Sequence, residues 1–136
     1  MSVFTEPEIA YMNSQGLCRL ATAGRDGHPH VVPTSFRFNR DTDTIDIGGH
    51  GFATRKKWRD VGHNPWVSLV VDDIVSVQPW VVRMLEVRGE AERLQEGGSQ
   101  IRPGFDEAMF RIHPRRILSF GLNGDEAGYG VNGRSV

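Results

Sequence analysis

The 136-residue sequence has one cysteine, no long apolar run and no excess of either charge. Because the single thiol of Cys18 forms neither an internal disulfide nor a multi-cysteine metal site, it fits the reducing cytosol. No apolar stretch approaches the ~20 residues that span a bilayer, so we expect no membrane partner. A formal net charge of −1 argues against nucleic acid and anionic membranes as partners. Any site for an anion must therefore be local.

The N-terminal segment also lacks an export signal. Residues 1–12 read MSVFTEPEIAYM, with early acidic residues and no basic region followed by an apolar run. We therefore expect a cytoplasmic protein.

Local patterns predict a mainly β (α+β) chain. Thr5 and Glu8 form a capping box that predicts a first helix, and Gly16 is expected to end it. Short helices are predicted at 53–62 and 105–112. Alternating residues between turn signals predict strands at 17–23, 30–38, 44–48, 66–71, 81–94 and 116–122. Six closely spaced strands with one inserted helix predict an antiparallel β-barrel.

The length and composition are those of one globular domain with its own core. We expect residues 1–122 to form this domain. Residues 123–136 are rich in glycine and polar residues, which predicts a flexible C-terminal tail.

The most informative stretch is 48–57, where a predicted strand ends in glycines and a helix begins with Thr54, Arg55, Lys56 and Lys57. Glycines allow close approach to a ligand, and a helix start favours an anion. Three cations at that end oppose the helix dipole unless an anion binds. The stretch therefore predicts a phosphate site, although it lacks both nucleotide-binding glycine fingerprints. The alternative is a solvated basic helix face.

A second candidate is the strand that starts at His30. Its apolar residues lead into a proline and two hydroxyls, which could line a ring and donate to its polar edges. The alternative is a core strand that runs to a surface bend. The residues concerned are His30, Val31, Val32, Pro33, Thr34 and Ser35.

Other chemistry finds little support in the sequence. His28 and His30 share a strand face, but no third ligand has suitable spacing, so we expect no metal. Cys18 has no base partner that the sequence fixes. The pair at 72–73 is expected to form a turn. Three tryptophans are expected in the core or a dimer interface, and Trp80 could instead cover a bound ring.

Several short segments, in this order and spacing, carry a resemblance to a known family. They are Leu20-Ala21-Thr22, 27–33 (GHPHVVP), 45–49 (IDIGG), 54–57 (TRKK), 64–67 (NPWV), 86–89 (EVRG) and 113–117 (HPRRI). The chain resembles the pyridoxine 5′-phosphate oxidase-like superfamily of split-barrel flavoproteins, and more narrowly its branch that uses the deazaflavin F420. The resemblance implies a six-stranded antiparallel split β-barrel of the FMN-binding-protein type with a few short helices.

The resemblance also implies a homodimer with two cofactor sites at its interface. The cofactor phosphate would lie against Lys56 and Lys57, with Thr54 and Arg55 beside them. The ring would lie along 31–35, and Gly49 and His50 would touch the tail or the ring edge. The second subunit would complete the pocket with Pro79, Trp80, Arg83, Met84 and Phe120.

The implied activity is an F420-dependent reduction of an activated double bond in a small organic substrate. His50 or solvent could supply the proton. Two alternatives stay open: an FMN-binding oxidoreductase, and a non-catalytic module that carries a cofactor or binds haem through His50 or His113. Residues 30–35 are largely uncharged and the C-terminal basic pattern for pyridoxal phosphate is missing, so vitamin B6 oxidation is not expected.

Overall fold

The computed structural model describes residues 1–124 and 130–136. The helices and strands in chain order are α1 (Glu6–Ser14), β1 (Leu17–Ala23), β2 (Pro29–Asn39), β3 (Thr44–Ile47), α2 (Lys56–His63), β4 (Trp66–Ser76), β5 (Val81–Leu94), α3 (Gly98–Ile101), β6 (Met109–Phe120) and β7 (Asn132–Ser135). A 3₁₀ turn, Phe52–Thr54, precedes α2.

Six antiparallel strands close into a barrel in the order β3-β2-β1-β4-β5-β6, because β3 also pairs with β6. This confirms the mainly β split-barrel prediction. Buried side chains from every barrel strand, among them Leu20, Leu69, Val87 and Ile112, fill the interior. Each such side chain contributes about 1.5–3 kcal/mol through burial.

The predicted capping box of α1 is confirmed. The backbone N–H of Glu8 donates to Thr5 Oγ1, and the backbone N–H of Thr5 donates to Glu8 Oε1. Burial raises the pKa of Glu8, but hydrogen bonds from Arg134, Thr5 and Asn123 outweigh burial and hold it below its ordinary value. Glu8 is therefore an ionised group at the centre of a buried network.

The predicted helix at 105–112 is wrong. Met109 begins β6, where it pairs with Leu94, and Phe110 pairs with both Arg93 and Ile47. These residues are buried between two neighbouring strands, so long-range pairing outweighs local helix preference. A single short helical turn, α3, lies earlier at Gly98–Ile101.

The flexible-tail prediction is wrong for Asn132–Ser135, which pair with the second half of β6. Arg134 binds both carboxylate oxygens of Glu8 and the carbonyl of Val3. This contact joins residues 126 positions apart, so local composition does not reveal it. The rest of that prediction includes 125–129, which lie outside the described residues, and the domain limit at 122 stays a prediction.

The turn predicted at 72–73 is also wrong, because both residues lie within β4. Asp72 forms an ion pair with Arg19, and Asp73 pairs with Arg83 on the neighbouring strand. The strand therefore continues beyond the barrel toward the β4–β5 connection.

Candidate functional site: a cation-lined pocket

A pocket of about 460 Å³ opens where β2, the glycine-rich loop after β3 and the start of α2 meet. Its lining residues are His30, Val32, Pro33, Thr34, Gly48, Gly49, His50, Phe52, Arg55, Lys56 and Lys57. The two stretches that the sequence singled out therefore form one cavity. One wall is a mainly uncharged strand, and the other is a cluster of three cations.

Some predicted site residues lie outside this lining. Val31 is 64% exposed and is not among the lining residues. Ser35 does not reach the cavity, and Thr54 Oγ1 donates instead to the carbonyl of Gly51 at 2.6 Å. Thr54 therefore fixes the loop rather than lining the pocket.

The candidate set missed two lining residues, Gly48 and Phe52. Phe52 is buried, packs edge-on against Trp58 and Phe110, and lies under the Lys57 ammonium at 5.1 Å from Nζ to the ring centre. The sequence did offer a reason to include Phe52, because it lies between the glycines at 48–51 and the cations at 55–57. The ring anchors the loop to the core and gives Lys57 a cation–π contact.

The loop between β3 and α2 is held by the segment that precedes β6. The backbone N–H of Asp106 donates to the carbonyl of Gly49, and Asp106 Oδ2 accepts the N–H of Phe52. Gly51 has a φ of 61°, a left-handed conformation that favours glycine. The loop that lines the pocket is therefore held in place by hydrogen bonds within the chain.

The three cations differ in how their charge is used. Lys56 Nζ binds both carboxylate oxygens of Asp60, at 2.9 and 3.2 Å. Arg55 donates to the carbonyl of His50. Within residues 1–124 and 130–136, Lys57 has no carboxylate partner at ion-pair distance. Burial and then the charge of Arg55 lower the pKa of Lys57, which marks an ammonium that lacks a counter-charge.

The site has two further unused polar features. No side chain caps the first turn of α2, whose N-cap is Arg55. The buried Nδ1 atom of His30 has no hydrogen-bond partner. Uncapped N–H groups beside an uncompensated ammonium make a site for an anion. These residues therefore fit a cofactor phosphate, with the adjoining β2 wall open to a ring.

The residues assigned by resemblance to the second subunit lie elsewhere in this chain. Arg83 binds Asp73 through Nε and Nη2, and Tyr11 donates to the same carboxylate at 2.7 Å. Trp80, after the cis peptide at Pro79, is 52% exposed near the tip of the β4–β5 hairpin. Met84 pairs with Phe120 across β5 and β6.

The other candidate groups lie apart from the pocket. His113 contacts the exposed Glu92 on the barrel surface. Cys18 is fully buried, and burial raises the pKa of its thiol to about 12, so it remains protonated. No cluster of three metal-binding side chains occurs in the part of the chain that the structure describes. Among those same residues, no helix is long and apolar enough to cross a membrane.

The barrel and the pocket together define the class of protein: a split barrel with a cation-lined cavity beside strand β2. The sequence profile of the Pyridoxamine 5'-phosphate oxidase family matches residues 5–120. The chain belongs to this family, whose members bind flavin or deazaflavin cofactors.

A relative of known activity is the 5a,11a-dehydrotetracycline/5a,11a-dehydrooxytetracycline reductase of Streptomyces rimosus. It is 43% identical over 133 residues, which cover 98% of this chain and 93% of the relative. Together with the family match, this similarity identifies the chain as an oxidoreductase.

Solved structures share the fold at low identity. A heme binding protein from Mycobacterium smegmatis aligns with a TM-score of 0.70 at 14% identity, covering 99% of this chain and 60% of that longer chain. HupZ from Group A Streptococcus aligns with a TM-score of 0.71 at 21% identity, covering 93% of this chain and all of the other. At this identity the likeness concerns the fold alone.

Proposed function

We propose that this protein is a cytoplasmic, F420-dependent reductase that acts on an activated double bond of a small organic substrate. The observation that carries the proposal is the uncompensated ammonium of Lys57 beside the uncapped start of α2. The reductase relative supports the reaction type. When bound, the deazaflavin would supply a hydride.

The chain's own residues would bind and orient the cofactor. Lys57 and Arg55 would hold the phosphate, with Lys56 and Thr54 beside them. The ring would lie along β2, against the stretch from His30 to Ser35, and Gly49 with His50 would touch the tail or ring edge. His50 is exposed at the pocket mouth, so it or solvent would donate the proton.

The substrate side would be completed by a second copy in a homodimer. Apolar side chains stand exposed along the β4–β5 hairpin: Ile74, Val75, Val77, Trp80 and Val81. Burying such a group against the partner would be favourable. Pro79, Trp80, Arg83, Met84 and Phe120 would then cover the partner's ring site.

The relative's name suggests a polycyclic conjugated substrate. The test is to mix the protein with reduced F420 and 5a,11a-dehydrooxytetracycline and follow the return of the oxidised deazaflavin absorbance. The proposal expects turnover that needs both protein and F420. Turnover with reduced FMN alone would make the protein a conventional flavoenzyme. A Soret band on adding haem, lost in His50→Ala or in His113→Ala, together with no turnover, would make it a haem carrier.

A further inference from the structure

A buried carboxylate lies directly behind the cation cluster. Asp60 is 5% exposed, accepts both Lys56 contacts and accepts a hydrogen bond from Thr22 Oγ1 at 2.9 Å. A Cβ atom on Gly24 would lie 2.6 Å from Asp60 Oδ1. Glycine at 24 therefore leaves room for this carboxylate, and three neighbours fix where it stands.

Asp60 is ionised at neutral pH. Burial raises its pKa, but the hydrogen bonds from Lys56 and Thr22, followed by the charges of Lys56 and His30, hold it below the ordinary value. The Lys56 ammonium lines the pocket, but its positive charge is balanced by the carboxylate of Asp60. A ligand therefore meets the uncompensated charges of Lys57 and Arg55, not those of three cations.

We propose that Asp60 is a specificity-determining residue that lowers the positive charge of the pocket, and so weakens its preference for a doubly charged phosphomonoester relative to a singly charged phosphodiester. This inference rests on the proposed function, because it assumes that the cofactor phosphate lies against Lys57. The deazaflavin carries its phosphate between the ring side chain and a lactyl group, as a diester. The phosphate of FMN is a monoester with a second pKa near 6, and it carries two charges above that pH.

The test uses two ring-free probes at pH 8, methyl phosphate and dimethyl phosphate, titrated into ¹⁵N-labelled protein. The amide shifts of Gly51 and Lys57 report the two affinities, and their ratio measures the preference for the monoester. Asp60→Asn keeps the shape of the side chain and removes one negative charge. Lys56→Gln removes one positive charge, and the double variant restores the original total.

We expect Asp60→Asn to raise the ratio of monoester affinity to diester affinity about fivefold to tenfold, because one more positive charge near the pocket attracts the dianion more strongly than the monoanion. Lys56→Gln should lower the ratio by a similar factor, and the double variant should return it to within about twofold of the starting value. Asp46→Asn, which removes a buried carboxylate paired with Arg111 away from the pocket, should leave the ratio unchanged.

An unchanged ratio in Asp60→Asn would overturn the role of Asp60, and so would equal shifts in Asp60→Asn and Asp46→Asn. If Asp60→Asn fails to fold, the comparison of Lys56→Gln with the double variant still decides the question: the ratio should fall in Lys56→Gln and return close to its starting value in the double variant. Because the probes carry no ring, the charge response can hold even where F420 does not bind. The two proposals therefore fail separately.

Discussion

At the scale of single residues, Lys57 is the group on which the phosphate site depends. Its ammonium has no carboxylate partner among the described residues, whereas Lys56 is already bound to Asp60. A charge-assisted hydrogen bond contributes about 1.5–3 kcal/mol. Lys57→Ala should therefore weaken cofactor binding by roughly tenfold to a hundredfold, measured by fluorescence titration.

The matched control is Arg40→Ala, which removes an exposed cation that contacts Glu6 outside the pocket. Its affinity for the cofactor should equal that of the unchanged protein. If Lys57→Ala bound the cofactor as tightly as the unchanged protein does, the phosphate would have to bind at another place.

A second residue, Gly98, supports the pocket from a distance. A Cβ atom at this position would lie 1.8 Å from the carbonyl oxygen of Asp106, whose own N–H and side chain hold the loop at Gly49 and Phe52. Gly98→Ala should lower the free energy of unfolding by about 1–3 kcal/mol and loosen that loop. Chemical denaturation measures the first effect, and the amide exchange rate of Phe52 measures the second.

Gly16→Ala is the control, because a Cβ atom there would meet no heavy atom within 4 Å. Its unfolding free energy should stay within about 0.5 kcal/mol of the starting value. A loss in Gly98→Ala no larger than in Gly16→Ala would contradict the close approach of Gly98 to Asp106.

At the scale of elements, the C-terminal strand β7 fastens α1 to the barrel. Arg134 binds the fully buried Glu8, which also accepts a hydrogen bond from Asn123. Removing one partner of a buried ion pair leaves an uncompensated charge and costs about 3–5 kcal/mol. Arg134→Met should lower stability by this amount in chemical denaturation.

The comparison variant is Arg116→Met, because the half-buried side chain of Arg116 contacts Ser135 in the same strand pair and carries no ion pair among the described residues. It should cost less than about 1 kcal/mol. If the two variants lost the same stability, β7 would hold the fold through its backbone alone and not through Arg134.

The elements also show which parts of the fold could be predicted from local sequence patterns. The capping box at Thr5 and Glu8 and the alternation within β5 are local signals, and both elements form as expected. Residues 109–112 lack such a signal, because their strand depends on pairing with β3 and β5. The cation run predicted one wall of the pocket. The burial of Asp60 was not predictable, because it depends on Thr22 in β1, Gly24 just after that strand and Lys56 in α2.

At the scale of the whole molecule, the exposed hairpin bears on assembly. Trp80 and its apolar neighbours have no cover within the described chain, and we propose that a second copy covers them. Trp80→Ser should weaken the dimer and reduce affinity for the ring of the cofactor or substrate. Sedimentation velocity across a concentration series measures the first effect.

Val131→Ser serves as the control, since Val131 is equally exposed but lies beside β7. It should sediment as the unchanged protein does. If the protein without substitutions were a monomer and still bound the cofactor tightly, the proposal that a second copy completes the site would be wrong.

The central claim concerns which cofactor the pocket holds. The most direct measurement is a fluorescence titration of the purified protein with oxidised F420 and, in parallel, with FMN. We predict binding of F420 at micromolar or lower concentration, with little binding of FMN, and loss of that binding in Lys57→Ala. Preference for FMN would contradict the deazaflavin assignment, and binding of neither cofactor would leave the barrel standing without the proposed redox function.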